Sequence, residues 1–353
     1  MRIAQVAPLQ ERVPPERYGG TEAVVHVLTE ELVRRGHQVT LFASGDSITS
    51  AELVSVWPHS LRTARHIVNQ QPYEWLHAGA ALEMAEQFDI LHNHQGELMI
   101  AMSRLVTTPM LTTTHNPASK DLRFAWQYYQ GFYNTVSKAA KRGMPYPNWV
   151  GAIYNAIDVA SFPFSDRKDD YMLFVGRMSA DKGPHTAIDV AKRLGRKLLI
   201  AGKVGVEDEE HFENVVKPMI DGKVVEFLGE ADSTMKRHLY AGASCVLFPI
   251  TWNEPFGLVI IEAMACGTPV VAFNAGAVPE LLVHGETGFI VNDIDEMIQA
   301  VRRVDRIDPR RCRDHVAQHF DAPRLADDYL AAYQFVLEQD AARKEWPLRR
   351  RSA

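Results

Sequence analysis

The feature that most restricts the fold of this chain is an alternation of short apolar runs with longer segments of helical periodicity. It is sustained almost from end to end. Ile3 to Ala7 is an apolar run of strand length, and Thr21 to Arg35 carries Val24, Val25, Leu28, Leu32 and Val33 at helical spacing. Pro14, Pro15 and Gly19-Gly20 mark the loop between them, Gly36 stops the helix, and Gln38 to Ala43 is the next apolar run. A strand, helix, strand unit of this kind builds a parallel sheet. The pattern predicts further helices about Glu74 to Gln87 and Leu98 to Leu105, and strands at Asp89 to His92, Met110 to Thr114, Tyr133 to Val136 and Val150 to Tyr154. A second set then begins. Strands are expected at Tyr171 to Val175, Lys197 to Ala201, Val224 to Leu228 and Cys245 to Pro249, with helices about Pro184 to Leu194, Glu207 to Met219 and Thr234 to Ala241. The expected class is α/β, with two doubly wound Rossmann-like domains facing across a cleft.

The turn residues of Asn155 to Pro163 and the charged run Asp166 to Asp170 place the domain boundary there. We therefore expect an N-terminal domain over residues 1–160 and a C-terminal domain over 161–323, with two helical regions finishing the chain after Val291. The last, about Arg324 to Ala341, sets Leu325, Tyr329, Ala332, Tyr333 and Val336 near one face and is expected to pack back on the first domain.

Composition narrows the functional class. A length of 353 residues with 46% hydrophobic and 23% charged residues suits two globular domains. The formal net charge of −6 argues against a protein whose task is to bind a nucleic-acid backbone. Cys245, Cys266 and Cys312 are too few and too scattered for a disulfide framework or a zinc site, which fits a reducing, cytoplasmic setting. No segment approaches the roughly 20 apolar residues that span a bilayer. The tail joins Trp346 to Arg349, Arg350 and Arg351, a solvated terminus that could also make peripheral contact with an anionic membrane.

Chemistry concentrates in Thr251 to Ala272, TWNEPFGLVIIEAMACGTPVVA. Gly257 to Ala265 reads as a short buried helix, ended by Gly267 and followed by a strand from Val270 to Phe273. Glu262 sits among Leu258, Val259, Ile260, Ile261, Ala263 and Met264, and a carboxylate buried there requires a partner. A backbone N–H, an Arg elsewhere in the fold, or the vicinal hydroxyls of a ribose each meets that need. Glu254 lies in the loop ahead of the helix, whose free N–H groups attract phosphate. Arg177 and Lys182, between Gly176 and Gly183, follow a strand end and offer a planar fork and a point charge suited to phosphate oxygens. His94 and His115 also fall at strand ends, where open parallel sheets bind ligands. His92 and His94 share one face of a strand, but no carboxylate or cysteine at suitable spacing completes a metal site. No G-x-G-x-x-G follows the first strand, so an ordinary NAD site is not expected.

These segments together resemble the family-four retaining glycosyltransferases of the GT-B fold. In the second half the resemblance rests on VGRMSADKG, VEFLGEA and CVLFPITWNEPFGLVIIEAMACGTPVVAFNAGAVPELLVHGETGFIV; in the first half, more loosely, on YGGTE, DILHNH, TTTHN and YNAIDVASF. It implies that Arg177 and Lys182 bind the diphosphate of a nucleotide-sugar donor and stabilise it as it leaves. Glu262 would take the ribose hydroxyls, and Glu254 with the backbone of Phe256 and Gly257 would hold the sugar. Amides of Leu258 and Val259 would reach phosphate, Leu228 would lie beside the base, and Gly19 and Gly20 would let the first helix close on the phosphate. His115 would face the reacting sugar. Two departures stand out: Asn274-Ala275-Gly276 replaces a frequent Gly-Gly pair, and Trp252-Asn253 precedes Glu254.

The resemblance implies a hexosyltransferase acting on a nucleotide sugar, UDP-linked rather than GDP-linked, through an oxocarbenium-like state, with no metal or other cofactor and an acceptor yet to be identified. A nucleotide-sugar epimerase or hydrolase on the same architecture, and a non-catalytic nucleotide-sugar sensor, are the alternatives. An epimerase would consume donor without an acceptor. A sensor would need none of the leaving-group cations.

Overall fold

The structure is a computed structural model that describes residues 1–64, 66–116 and 121–345, the side chains of 343–345 excepted. Trp346 and the three arginines of the tail lie outside the described residues. The first sheet is built from β1 (Arg2–Val6), β2 (Gln38–Phe42), β3 (Glu52–Val54), β4 (Ile90–Asn93), β5 (Met110–Thr114), β6 (Phe132–Thr135) and β7 (Trp149–Ala152). Its helices are α1 (Gly20–Arg34), α2 (Gln71–Glu83), α3 (Glu97–Met102), α4 (Arg123–Tyr128) and α5 (Lys138–Lys141). The strand order is β3-β2-β1-β4-β5-β6-β7, and every pairing is parallel.

The second sheet contains β8 (Met172–Val175), β9 (Leu198–Ala201), β10 (Val225–Phe227), β11 (Cys245–Phe248), β12 (Val270–Phe273) and β13 (Gly288–Val291), ordered β10-β9-β8-β11-β12-β13. Around it stand α6 (Pro184–Leu194), α7 (Glu209–His211), α8 (Ser233–Gly242), α9 (Leu258–Ala265), α10 (Val278–Leu281), α11 (Ile294–Val301), α12 (Pro309–His319) and α13 (Ala322–Glu345). Both sheets are covered by helices, which is why strands such as Met172–Val175 read as continuous apolar runs rather than as alternations. The architecture is two parallel-sheet Rossmann-like domains, the α/β class and GT-B arrangement expected.

Three differences from the sequence reading have local causes. The helix expected over Glu207 to Met219 is broken into one turn of α7, a π turn at Phe212–Val216 and a 3-10 turn at Lys217–Met219, because Pro218 lacks the N–H that would continue the ladder. Among the described residues after Val291 there are three helices, not two. The Asp308 carboxylate accepts from Arg310 N at 2.9 Å and so caps α12, which opens with Pro309, and the break at Phe320 and Asp321 separates α12 from α13. The edge strand β3 spans three residues, too short to leave a periodicity.

The chain crosses between the domains twice, and the crossings are stitched together. Ile157 N–H donates to Phe320 O at 3.0 Å and Ala322 N–H to Ile157 O at 3.1 Å. The Arg313 guanidinium donates to Val159 O at 3.0 Å, Phe162 O at 2.9 Å and Ala265 O at 2.6 Å. Beyond the second crossing, α13 packs on the first domain. Leu325, Ala326, Tyr329, Tyr333 and Val336 share a core with Ile3, Val24, Leu28 and Leu32, and Arg35 reaches Asp327 at 2.5 Å.

Candidate active site in the interdomain cleft

In each sheet the strand order reverses beside its first strand, between β1 and β4 and between β8 and β11. A crevice forms outside the carboxyl ends of the strands at such a switch point. Here the two crevices merge into one cavity of about 890 Å³. Gly19, Gly20 and His115 line it from the first domain; Arg177, Lys182, Glu254, Phe256, Gly257, Leu258, Val259 and Glu262 line it from the second. Leu228 is not in its wall. It follows β10, donating its N–H to Ile200 O at 2.8 Å, and Glu230 and Ala231 reach the cavity instead.

Two helix N-termini meet across this space. Gly257, at φ 103, turns the chain into α9, and its left-handed conformation favours glycine. Gly20 opens α1 so close to α9 that a Cβ there would lie 3.3 Å from Leu258 Cδ1. A side chain at residue 20 would press on Leu258 at the start of α9. The free N–H groups of both helices therefore converge on one volume, where negative charge is favoured.

Lys182 Nζ is ion-paired with Glu254 Oε2, which also accepts from Trp252 Nε1 at 3.0 Å, while the Lys182 ammonium lies 4.8 Å from the centre of the Trp252 ring. Trp252 thus holds both members of the pair. Arg177 faces Glu207 at 3.3 Å, Asp208 at 3.5 Å and Asp181 at 3.9 Å. Both cations are partnered, but neither is saturated: an ammonium has three protons and a guanidinium five.

Glu262 is 7% exposed, and its partner is neither a backbone N–H nor an Arg. Lys236 Nζ donates to Oε1 and Tyr240 OH to Oε2, each at 2.9 Å. One lone pair on each oxygen is left for a ligand. The two donors lie four residues apart on α8, hence on one helix face; sequence reasoning missed Lys236, because a Lys-x-x-x-Tyr spacing marks a shared face without naming what that face meets.

On the opposite wall His115 Nε2 is 2.9 Å from His94 Nδ1. Burial lowers the His115 pKa to about 4, and burial followed by repulsion from neighbouring imidazoles holds His94 well below the usual histidine range. His92 makes contacts of 2.7 Å to Tyr333 OH and to Thr113 Oγ1. Among the described residues no group of three or more His, Cys, Asp or Glu side chains could hold a metal ion. Sequence reasoning missed Glu22, a 5% exposed carboxyl in the first turn of α1 that also lines the cavity. Burial raises its pKa to about 7, against the opposing effect of N–H groups at Glu22 and Glu11.

Among the described residues no helix is long and apolar enough to cross a membrane. A further tie between the domains runs through Glu280, whose carboxylate accepts from Lys138 N at 2.9 Å, Ala139 N at 2.7 Å and Tyr154 OH at 2.8 Å.

Comparison with known proteins agrees with this geometry. Residues 18–159 match the profile of Glycosyltransferase Family 4, and residues 160–312 that of Glycosyl transferases group 1. A phosphatidyl-myo-inositol mannosyltransferase of Mycobacterium leprae is 27% identical over 95% of this chain and 96% of its own length. A D-inositol 3-phosphate glycosyltransferase of Corynebacterium efficiens is 26% identical over 90% of each. Among solved structures, AviGT4, a glycosyltransferase of avilamycin A biosynthesis, superposes with a TM-score of 0.75 at 24% identity, covering 96% of this chain and 98% of its own. Anabaena HepE, solved with UDP and glucose, gives 0.73 at 20% identity, covering 95% of this chain and all of its own. With both halves of the cleft matched, the chain belongs to the family-four glycosyltransferases of the GT-B fold and is a glycosyltransferase.

Proposed function

We propose that the cleft transfers a hexosyl group from a nucleoside diphosphate sugar, UDP-linked, to an acceptor hydroxyl with retention of anomeric configuration and without a metal. The observation that carries this reading is the convergence of Arg177, Lys182 and the N-terminus of α9 on one cavity that also holds Glu254 and Glu262. HepE, with the same fold, was solved with UDP and glucose, which supports a uridine nucleotide here.

The roles follow from charge. Breaking the bond between the anomeric carbon and phosphate builds positive charge on the ring and negative charge on the nucleotide, so fixed cations and helix ends at the diphosphate lower the barrier. Lys182 keeps one proton on Glu254 and directs the others to the diphosphate; Arg177 turns its fork from the surrounding carboxylates to the same oxygens. Glu254 and the backbone of Phe256 and Gly257 hold the sugar, the amides of Leu258 and Val259 bind phosphate, and Glu262 takes the ribose diol. Gly19 and Gly20 bring α1 to the phosphate, and His115 faces the reacting ring. The acceptor oxygen attacks on the face from which the nucleotide leaves, through an oxocarbenium-like state. Its proton passes to the departing phosphate oxygen, so no enzyme nucleophile is required.

Lys182→Ala and Arg177→Ala, each confirmed folded, are expected to lower transfer by at least about a hundredfold, the scale of one lost electrostatic stabiliser. Near-normal turnover in either variant would sink this assignment of roles.

A further inference from the structure

Behind His115 a buried chain of polar groups runs to the C-terminal helix. It starts in a closed ring: Thr113 Oγ1 is 2.8 Å from Asn134 Oδ1, Asn134 Nδ2 is 3.3 Å from Tyr329 OH, and Tyr329 OH is 3.0 Å from Thr113 Oγ1. The chain then continues from Thr113 Oγ1 to His92 Nε2 at 2.7 Å, and from His92 Nδ1 to Tyr333 OH at 2.7 Å. Tyr333 OH meets Gln5 Nε2 at 2.9 Å, Gln5 Oε1 meets His94 Nε2 at 2.9 Å, and His94 Nδ1 meets His115 Nε2 at 2.9 Å. All the members behind His115 are buried, so water cannot repair a mismatched contact.

We infer that Tyr329 and Tyr333 of α13 set the tautomer of His115, placing its proton on Nε2 and leaving Nδ1 as the hydrogen-bond acceptor. The number of protons available in the ring decides the direction. Three contacts in the ring need three protons: one from each hydroxyl and one from the Asn134 amide. Whichever way the ring and the amide are turned, the single hydroxyl proton of Thr113 is used inside it. Thr113 must then accept from His92, which puts the His92 proton on Nε2 and makes its Nδ1 an acceptor. Tyr333 donates its only proton to that nitrogen and must accept from Gln5, so the amide nitrogen of Gln5 faces Tyr333 and its oxygen faces His94. His94 is protonated on Nε2, its Nδ1 accepts, and His115 donates from Nε2. The steps hold for neutral imidazoles, and burial lowers the pKa of all three. A reversed chain would leave one ring contact without a proton.

The consequence for catalysis rests on His115 facing the donor sugar, as proposed above: a hydroxyl that reaches Nδ1 must donate to it. The tautomer itself does not depend on that reading. Tyr329 and Tyr333 are thus positioning residues, separated from His115 by more than 200 positions in the sequence.

The test is nitrogen NMR of the full chain labelled with ¹⁵N-histidine. Wild type is expected to show His115 protonated at Nε2 alone. Tyr329→Phe and the near-isosteric Thr113→Val each break the ring and release the sense of the chain, and Tyr333→Phe severs it. Each is expected to populate the Nδ1–H form of His115. With the two forms equally populated, kcat/KM falls about twofold by loss of competent fraction. A wild-type His115 protonated at Nδ1 overturns the inference. So does an unchanged tautomer in the folded variants, whatever happens to their thermal stability. A changed tautomer with unchanged kcat/KM supports the inference about the chain and overturns the catalytic placement of His115 instead.

Discussion

Glu262→Gln separates ligand recognition from structure at the buried carboxylate of α9. The carboxylate uses one lone pair of each oxygen for Lys236 and Tyr240, at 2.9 Å each, and the remaining pair is left for the ribose diol proposed above. Hydrogen bonds to a charged group contribute about 1.5–3 kcal/mol and neutral ones about 0.5–1.5 kcal/mol, so two ribose bonds losing the charge cost roughly 2–3 kcal/mol. At 1.4 kcal/mol per decade this is a thirty- to hundredfold weakening of UDP binding, in rough terms. Lys236→Met is the control. It leaves both acceptor oxygens in place and strips the buried charge of its counterion, so it is expected to lower thermal stability more than UDP affinity. Calorimetric titration of UDP and 2′-deoxy-UDP against wild type and both variants reads the effect. Wild type should prefer the ribonucleotide and Glu262→Gln should largely lose that preference. If Glu262→Gln binds UDP within about twofold of wild type, the ribose role is wrong and the carboxylate is a purely structural partner of α8.

Two further expectations follow from the same physics. Glu22 has a folded pKa raised to about 7 from 4.5, so its neutral form is stabilising below pH 4.5 and that contribution is lost as pH rises through 7. Glu22→Gln is expected to stabilise the fold above pH 7 by up to about 3 kcal/mol and to leave it unchanged near pH 4, read from denaturant midpoints; an equal effect at both pH values would contradict the assignment. His77 has the opposite sign. Its pKa falls from 6.5 to about 4, so its contribution is present above pH 6.5 and lost as pH falls toward 4, and His77→Gln should flatten the acid limb of the stability curve.

Much of the fold was legible because buried parallel strands and amphipathic helices leave different periodicities. What remained hidden was short or non-local. The three residues of β3 carry no period, and the π turn at Phe212–Val216 arises from a single proline within an otherwise helical pattern. The site divided along the same line. Glu254, Arg177 and Lys182 stand in loops and turns, and Glu262 within the short helix α9, at positions relative to their own strands that follow from local sequence. Their actual partners do not. Lys236 reaches Glu262 from a different helix, Trp252 holds Lys182 and Glu254 together, and Leu228 lies outside the cavity wall because the chain turns at Gly229 and brings Glu230 there instead. The proton order behind His115 joins strands to a helix at the far end of the chain, a relation that periodicity does not encode.

The most direct test of the account is the fate of the sugar. The protein incubated with UDP-, GDP- and ADP-sugars and simple hydroxyl acceptors, water included, can be followed by proton NMR of the anomeric signals. Release of UDP is expected, with a first-formed product of the same anomeric configuration as the donor. A product of inverted configuration, or a protein that neither binds UDP nor consumes any UDP-sugar, would contradict it.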